Sequence, residues 1–174
     1  MIKPALWTLS GVVAALSLSP AAAQTISSRY TMIDLRRCRT LEVIPEGDSV
    51  RRRCPGLAGI SLYVNEGDGR SEIDAGVDDG QWESLPGFNT VGERIEWRLS
   101  GGRPFAIIYR LRTSASPDQA AGSALIVERI GRGHGRPGCR IGMVDGALPD
   151  ANLRARALAD SHARDVACPA ASAE

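Results

Sequence analysis

Four cysteines, Cys38, Cys54, Cys139 and Cys168, follow an apolar leader, and this pairing of features constrains the fold more than anything else in the chain. An even cysteine count in an exported protein reads as a disulfide framework, and four cysteines allow three connectivities. Residues 38–44 and 49–54 read as strands flanking the turn Pro45-Glu46-Gly47-Asp48. With the turn centred near Glu46, opposed positions sum to about 92, so Cys38 faces Cys54 at a separation a disulfide bridges. The second pair follows from lengths. Residues 139–145 form a strand of roughly 20 to 24 Å, and 150–165 a helix of roughly 24 Å. A turn at 146–149 reverses the chain between them, so the helix end returns beside the strand start and Cys168 meets Cys139. No C-x-x-C occurs and no zinc-module spacing is present, so neither metal nor redox work is expected of these thiols.

The leader itself reads as an export signal. Lys3 opens it, residues 5–18 are largely apolar, Pro20 breaks the run, and Ala21-Ala22-Ala23 supplies the small-residue cleavage pattern. A signal peptide over 1–23 leaves a domain at 24–168 and a short tail at 169–174, with no membrane anchor after cleavage. Lys3 is the single lysine of the chain. Its removal leaves 20 arginines against 20 acids, hence no net charge. That balance excludes a basic nucleic-acid binder. The expected location is the periplasm or outside the cell.

Strand-sized segments separated by glycine turns dominate the remainder. Residues 30–35, 60–65, 71–75, 94–99, 104–111 and 123–130 join the two segments of the first hairpin and 139–145. In 94–99 the alternation points Ile95, Trp97 and Leu99 inward and Arg94, Glu96 and Arg98 outward. Residues 78–90 read as irregular. Asp150 is a fitting N-cap for the helix, and Leu153, Ala157 and Leu158 form the stripe expected to meet the sheet. The fold expected is α+β and mainly β: an antiparallel sandwich or open barrel of about seven to eight short strands with one C-terminal helix packed on it.

Catalytic signatures are missing from the sequence. There is no H-E-x-x-H, no G-x-S-x-G and no P-loop, so no catalytic residue, metal ligand or cofactor is assigned. The stretch 66–83 carries seven acids against Arg70 and is expected to be a solvated acidic rim. Two basic features stand out. In the first hairpin, Arg37 and Arg39 alternate onto one face and Arg51 and Arg53 onto its partner. Arg39 then lies opposite Arg53, a destabilising like-charge pair that calls for an anion. The neighbouring acidic stretch is the expected intramolecular one, and an anionic envelope component or acidic protein surface is the alternative. The second feature is the glycine-rich loop 131–138, where Arg132, His134 and Arg136 stand among four glycines whose backbone N–H groups are free to converge on an anion.

Small size, export, two disulfides and a β-rich body are similar to periplasmic lysozyme inhibitors and other small envelope binding modules, although no inhibitor motif matches residue by residue. The resemblance implies a non-catalytic binding or inhibitor-type module. The alternatives are a structural or stress-related envelope protein without a small ligand, and a hydrolase built from distant carboxylates.

Overall fold

The computed structural model describes residues 24–168 except 46–47, 79, 116–119, 134–135 and 166; the leader and the tail lie outside the described residues. Ten strands and one helix occur among the described residues. They are β1 (Ile26–Met32), β2 (Arg39–Ile44), β3 (Ser49–Pro55), β4 (Ser61–Gly67), β5 (Arg70–Ala75), β6 (Asn89–Val91), β7 (Arg94–Ser100), β8 (Arg103–Thr113), β9 (Gly122–Arg129), β10 (Cys139–Asp145) and α1 (Ala151–His162). All pairings are antiparallel. One sheet runs β1-β7-β8-β9-β10, with β6 continuing the β7 lane along the far end of β8; the other runs β2-β3-β4-β5. The two sheets pack as a sandwich rather than a closed barrel.

The apolar pattern explains the layers. Ile95, Trp97 and Leu99 of β7, with Ile107, Tyr109 and Leu111 of β8, meet Leu62, Val64, Ile73 and Ala75 of the second sheet in one core. Strand β8 is apolar on both faces because its other face is covered too: Ala106 and Ile108 pack beneath α1 with Leu125 and Val127. That cover overturns one expectation. Glu96 and Arg98 do not face water but are buried under the helix. Arg98 grips Asp160 through two nitrogens, at 2.9 and 2.5 Å, and Arg156 binds Glu96 at 2.6 Å.

The helix face differs from the expected one for the same reason. Ala151, Ala155 and Ala159 are buried, whereas Leu153 is 66% exposed and Ala157 also faces water; Leu158 is half-buried. Small side chains at every fourth position bring the helix close to the sheet, where Arg156 and Asp160 reach the charges on β7. Asp150 precedes the helix, but its side chain binds Arg154 at 2.8 Å instead of a backbone N–H.

Both disulfides join the expected partners, Cys38 to Cys54 and Cys139 to Cys168, with Cα separations of 4.2 and 5.6 Å. They are the mark of an oxidising, extracytoplasmic compartment. The first hairpin holds the expected register at its open end, Arg39 opposite Arg53 and Thr40 opposite Arg52. A bulge at Leu41 then shifts the ladder by one, so Glu42 rather than Leu41 opposes Arg51.

Strand β1 starts earlier than expected, at Ile26, and the chain after it forms a 3-10 turn over Leu35–Arg37 instead of further strand. The Asp34 carboxylate caps that turn by accepting the Arg36 N–H at 3.1 Å. Strand β6 falls in the segment expected to be irregular. Its Asn89 stitches the two sheets together at the free edge of β5. The N–H groups of Ser71, Ile73 and Ala75 point away from β4 and donate to Asn89 Oδ1, Tyr109 Oη and Glu128 Oε1 at 3.1, 3.3 and 3.2 Å. Three side chains thus seal an edge that would otherwise template further pairing.

Candidate functional site

A cleft of about 940 Å3 opens where the β7–β8 turn, the glycine-rich loop and the C-terminal end of α1 converge. Arg103, Arg129, Arg132, Arg136 and Arg164 line it, against the single carboxylate of Asp165. Its floor is apolar, formed by Phe105, Ile130 and Ala163, each buried. The Cys139–Cys168 bridge sits at its rim and fixes the end of the helix beside the loop.

The guanidinium groups are positioned by neutral partners. Arg132 donates to the Pro104 carbonyl at 2.6 Å, and Arg129 to the Pro137 carbonyl at 2.8 Å. Arg164 donates to the Asp160 carbonyl at 3.1 Å and lies 5.5 Å from the Phe105 ring centre. A carbonyl fixes a guanidinium without cancelling its charge, and each guanidinium has five N–H groups to offer. Among the described residues, Arg103, Arg132, Arg136 and Arg164 form no salt bridge. Among the described residues the cleft is therefore a concave surface with five guanidinium groups and one carboxylate, over an apolar floor.

The glycines of the loop do a different job from the one expected. The N–H groups of Gly131, Arg132 and Arg136 already bind the carbonyls of Ala75, Arg136 and Gly133. They are not free to cradle an anion. Gly131 and Gly138 are needed for close approach: a Cβ on Gly131 would lie 2.7 Å from the Gly138 nitrogen. Gly133 supplies a left-handed turn at φ +64°. The side chains of Arg132 and Arg136 bring the charge to the cleft. His134 lies outside the described residues.

The hairpin arginines separate into different environments. Arg37 belongs to the 3-10 turn and is exposed, away from the ladder. Arg51 is neutralised by Glu42 at 3.0 Å and by Asp78, and the intervening Arg52 by Glu66. Arg53 donates to Ser61 Oγ at 2.8 Å and remains opposite Arg39. The structure also joins the two basic features of the sequence, because Arg53 and Arg132 line one depression of about 370 Å3 beside the cleft. Arg103, Arg129 and Arg164 were not singled out from sequence. Once Cys168 is placed beside Cys139, Arg164 must lie near the loop, and that inference was within reach.

The acidic stretch is only in part the solvated rim expected: Asp68 is 79% exposed, but other acids are covered. Glu72 and Asp74 are 3% and 7% exposed, because the segment after β5 folds over the outer face of β4 and β5. Asn65 donates its amide to both carboxylates, at 3.2 and 3.4 Å, and the Glu83 N–H binds Glu72. Burial raises the Glu72 carboxyl to about 7, against the pull of these hydrogen bonds and of Arg140. Burial pushes Glu128 well above the usual carboxylate range, and the Asp74 charge adds to the rise. No metal-holding cluster of His, Cys, Asp or Glu occurs among the described residues, and no helix there is long and apolar enough to cross a membrane.

No protein-family model, curated protein or solved structure matches the chain.

Proposed function

We propose that this is an exported, non-catalytic binding module of the cell envelope, and that the arginine-lined cleft seats an anionic group of its ligand. The observation that carries the proposal is the set of five arginines around one apolar floor with a single carboxylate, Asp165, among them, Arg132 and Arg164 being oriented by carbonyls. Guanidinium groups keep their protons at all physiological pH values, so they are suited to holding charge and not to moving protons. The concavity favours a compact anionic headgroup or substituent over a flat acidic protein surface. Apolar leader and disulfides together support export.

Titration calorimetry with inorganic pyrophosphate at two salt concentrations tests the cleft. Binding is expected to be saturable and to weaken as salt rises. In the Arg132→Ala/Arg136→Ala variant it is expected to fall at least tenfold, on the basis of about 1.5 kcal/mol or more for each lost charge-assisted hydrogen bond. Unchanged binding in that variant would refute the assignment of the cleft.

A further inference from the structure

A second site lies on the outer face of the four-stranded sheet. Glu42, Arg51, Asn65 and Glu72 stand there in one row, one from each of β2 to β5, because the registers pair 42 with 51, 51 with 65 and 65 with 72. These four residues line a pocket of about 170 Å3 together with Asp78 and Trp82, whose ring is 42% exposed.

The charges of the pocket do not cancel. Arg51 answers both Glu42 and Asp78, and Arg52 answers Glu66, which also lines the pocket. Glu72 has no salt-bridge partner among the described residues. Among the described residues, an ionised Glu72 therefore makes four carboxylates lining the pocket, Glu42, Glu66, Glu72 and Asp78, beside one lining guanidinium, Arg51, while Arg52, Arg70 and Arg140 stand outside the lining. An independent observation points the same way. Asn65 is more than nine-tenths buried, and its Oδ1 receives no hydrogen bond among the described residues. A buried acceptor without a donor is costly; Arg51 Nε beside it is likewise a buried donor without an acceptor among the described residues, and a cationic N–H group is the donor for Asn65 Oδ1 that also answers the carboxylates lining the pocket. The Trp82 ring already attracts one cation, the Arg70 guanidinium 5.7 Å from its centre, and the exposed part of the residue beside the carboxylates suits a second, organic one.

We propose that this pocket takes the ammonium or guanidinium end of one organic cation, with Glu72 and Asn65 Oδ1 as acceptors and the Trp82 ring as a wall. The pocket is separate from the arginine cleft and does not depend on it. Binding is coupled to protons through Glu72. The groups around Glu72 are Asn65 and Arg51 on β4 and β3, Asp74 on its own strand, Asp78 and Glu83 in the covering segment, Arg140 on β10, Glu128 on β9 and Tyr109 on β8. Arg51 and Arg140 favour the ionised form, and the surrounding carboxylates oppose it. A cation beside Glu72 shifts that balance toward the carboxylate, so binding below pH 7 releases a proton. With Glu72 titrating at about 7 in the free protein, affinity is expected to be about tenfold weaker at pH 6 than at pH 8.

The test is an NMR titration of the disulfide-bonded protein with methylguanidinium and, separately, n-butylammonium, at both pH values and fixed ionic strength. The expected result is a saturable shift of the Trp82 indole N–H with at least one probe, and a dissociation constant about tenfold larger at pH 6. The two probes distinguish the kinds of cation. Glu72→Gln should abolish the pH dependence, and Trp82→Ala should weaken binding severalfold without altering the melting temperature. Absence of saturable binding, equal affinity at pH 6 and 8, or an unaffected Trp82→Ala variant would each overturn the proposal. Wild-type and Trp82→Ala data decide the matter even if Glu72→Gln does not fold. Arg132→Ala/Arg136→Ala should bind both probes as wild type does; loss of binding there would refute the independence of the two sites.

Discussion

Replacing Tyr109 by Phe removes one oxygen atom and tests the seal on the β5 edge. The ring is 1% exposed and fills the core between the sheets, so the Phe variant keeps the packing and loses only the acceptor of the Ile73 N–H. The bond is 3.3 Å long. The space left by the hydroxyl is too small to admit water, since a water needs about 30 Å3 of liquid volume and several polar partners. The Ile73 N–H is then buried without a partner, which costs about 1–3 kcal/mol. For a domain near 150 residues each kcal/mol moves the melting temperature by about 2–4 °C. A value near 2 kcal/mol therefore corresponds to a fall of about 4–8 °C. Thermal unfolding followed by circular dichroism measures it, and amide exchange at Ile73 localises it. A melting temperature within about 1 °C of wild type, with Ile73 still protected, would show that the edge is held by packing and that the hydrogen bond contributes nothing.

Three further outcomes are expected. Glu72 titrates at about 7 in the folded protein against an ordinary 4.5, so the folded state holds the extra proton between those values. Its stabilising contribution is full below about pH 4.5 and is lost as pH rises through 7, about 3 kcal/mol in all; Glu128 acts in the same direction. Urea midpoints should fall from pH 5 to pH 8 in wild type and fall less in Glu72→Gln, and equal slopes would disprove the role of Glu72. On α1, Ala155→Leu should cost about 1–3 kcal/mol by overpacking the buried face, whereas Leu153→Ala should stay within about 0.5 kcal/mol; chemical denaturation of both variants tells whether the alanine face is the one on the sheet. A non-reducing digest should yield Cys38–Cys54 and Cys139–Cys168 peptides, and each bridge removed by a double Cys→Ser change should lower stability by about 3 to 4 kcal/mol in the loop-entropy model. A Cys54–Cys139 peptide would contradict the fold.

Local periodicity and turn chemistry made much of the fold legible. The hairpin register at its open end and both disulfides follow from spacing and element lengths, and β7 and β8 announce themselves by alternation and by an unbroken apolar run. What stayed hidden depends on contacts between distant segments. Ser27, Ser28 and Arg29 lie before the first expected strand because an edge strand with solvent on one face has little apolar signal; β1 exists because β7 offers it an edge. The bulge at Leu41 has no signature in sequence, yet it brings Glu42 to Arg51. The helix was misread because leucine outranks alanine as an apolar residue, whereas close packing on a sheet favours the smaller side chain. Glu96, Arg98 and Glu72 looked solvent-facing for a common reason. The sequence shows the charge of a residue but not the layer that will cover it, here α1 and the segment after β5.

The same limit explains why the arginines could not be sorted before the fold was known. By composition they are one population, since no lysine follows the leader. The structure divides them by the charge of what they touch. Arg51, Arg52, Arg98 and Arg156 bind carboxylates, and their fields are cancelled within a few ångströms. Arg98 shows the cost of exchange: removing it would strand Asp160 near the helix interface, while Glu96 would keep Arg156, so Arg98 belongs to the scaffold. Arg132 and Arg164 are fixed by carbonyls, which orient the guanidinium and leave its charge directed at whatever enters the cleft. A chain with equal numbers of acids and arginines has no net field with which to attract an anion. It acquires a local one only by burying or pairing its acids elsewhere, and Glu72, Asp74, Glu96 and Glu128 are placed in just that way. The neutral composition and the charged cleft are thus two results of one arrangement, in which several acids are drawn inward or into pairs while twelve of the twenty arginines stay exposed, four of them around the cleft.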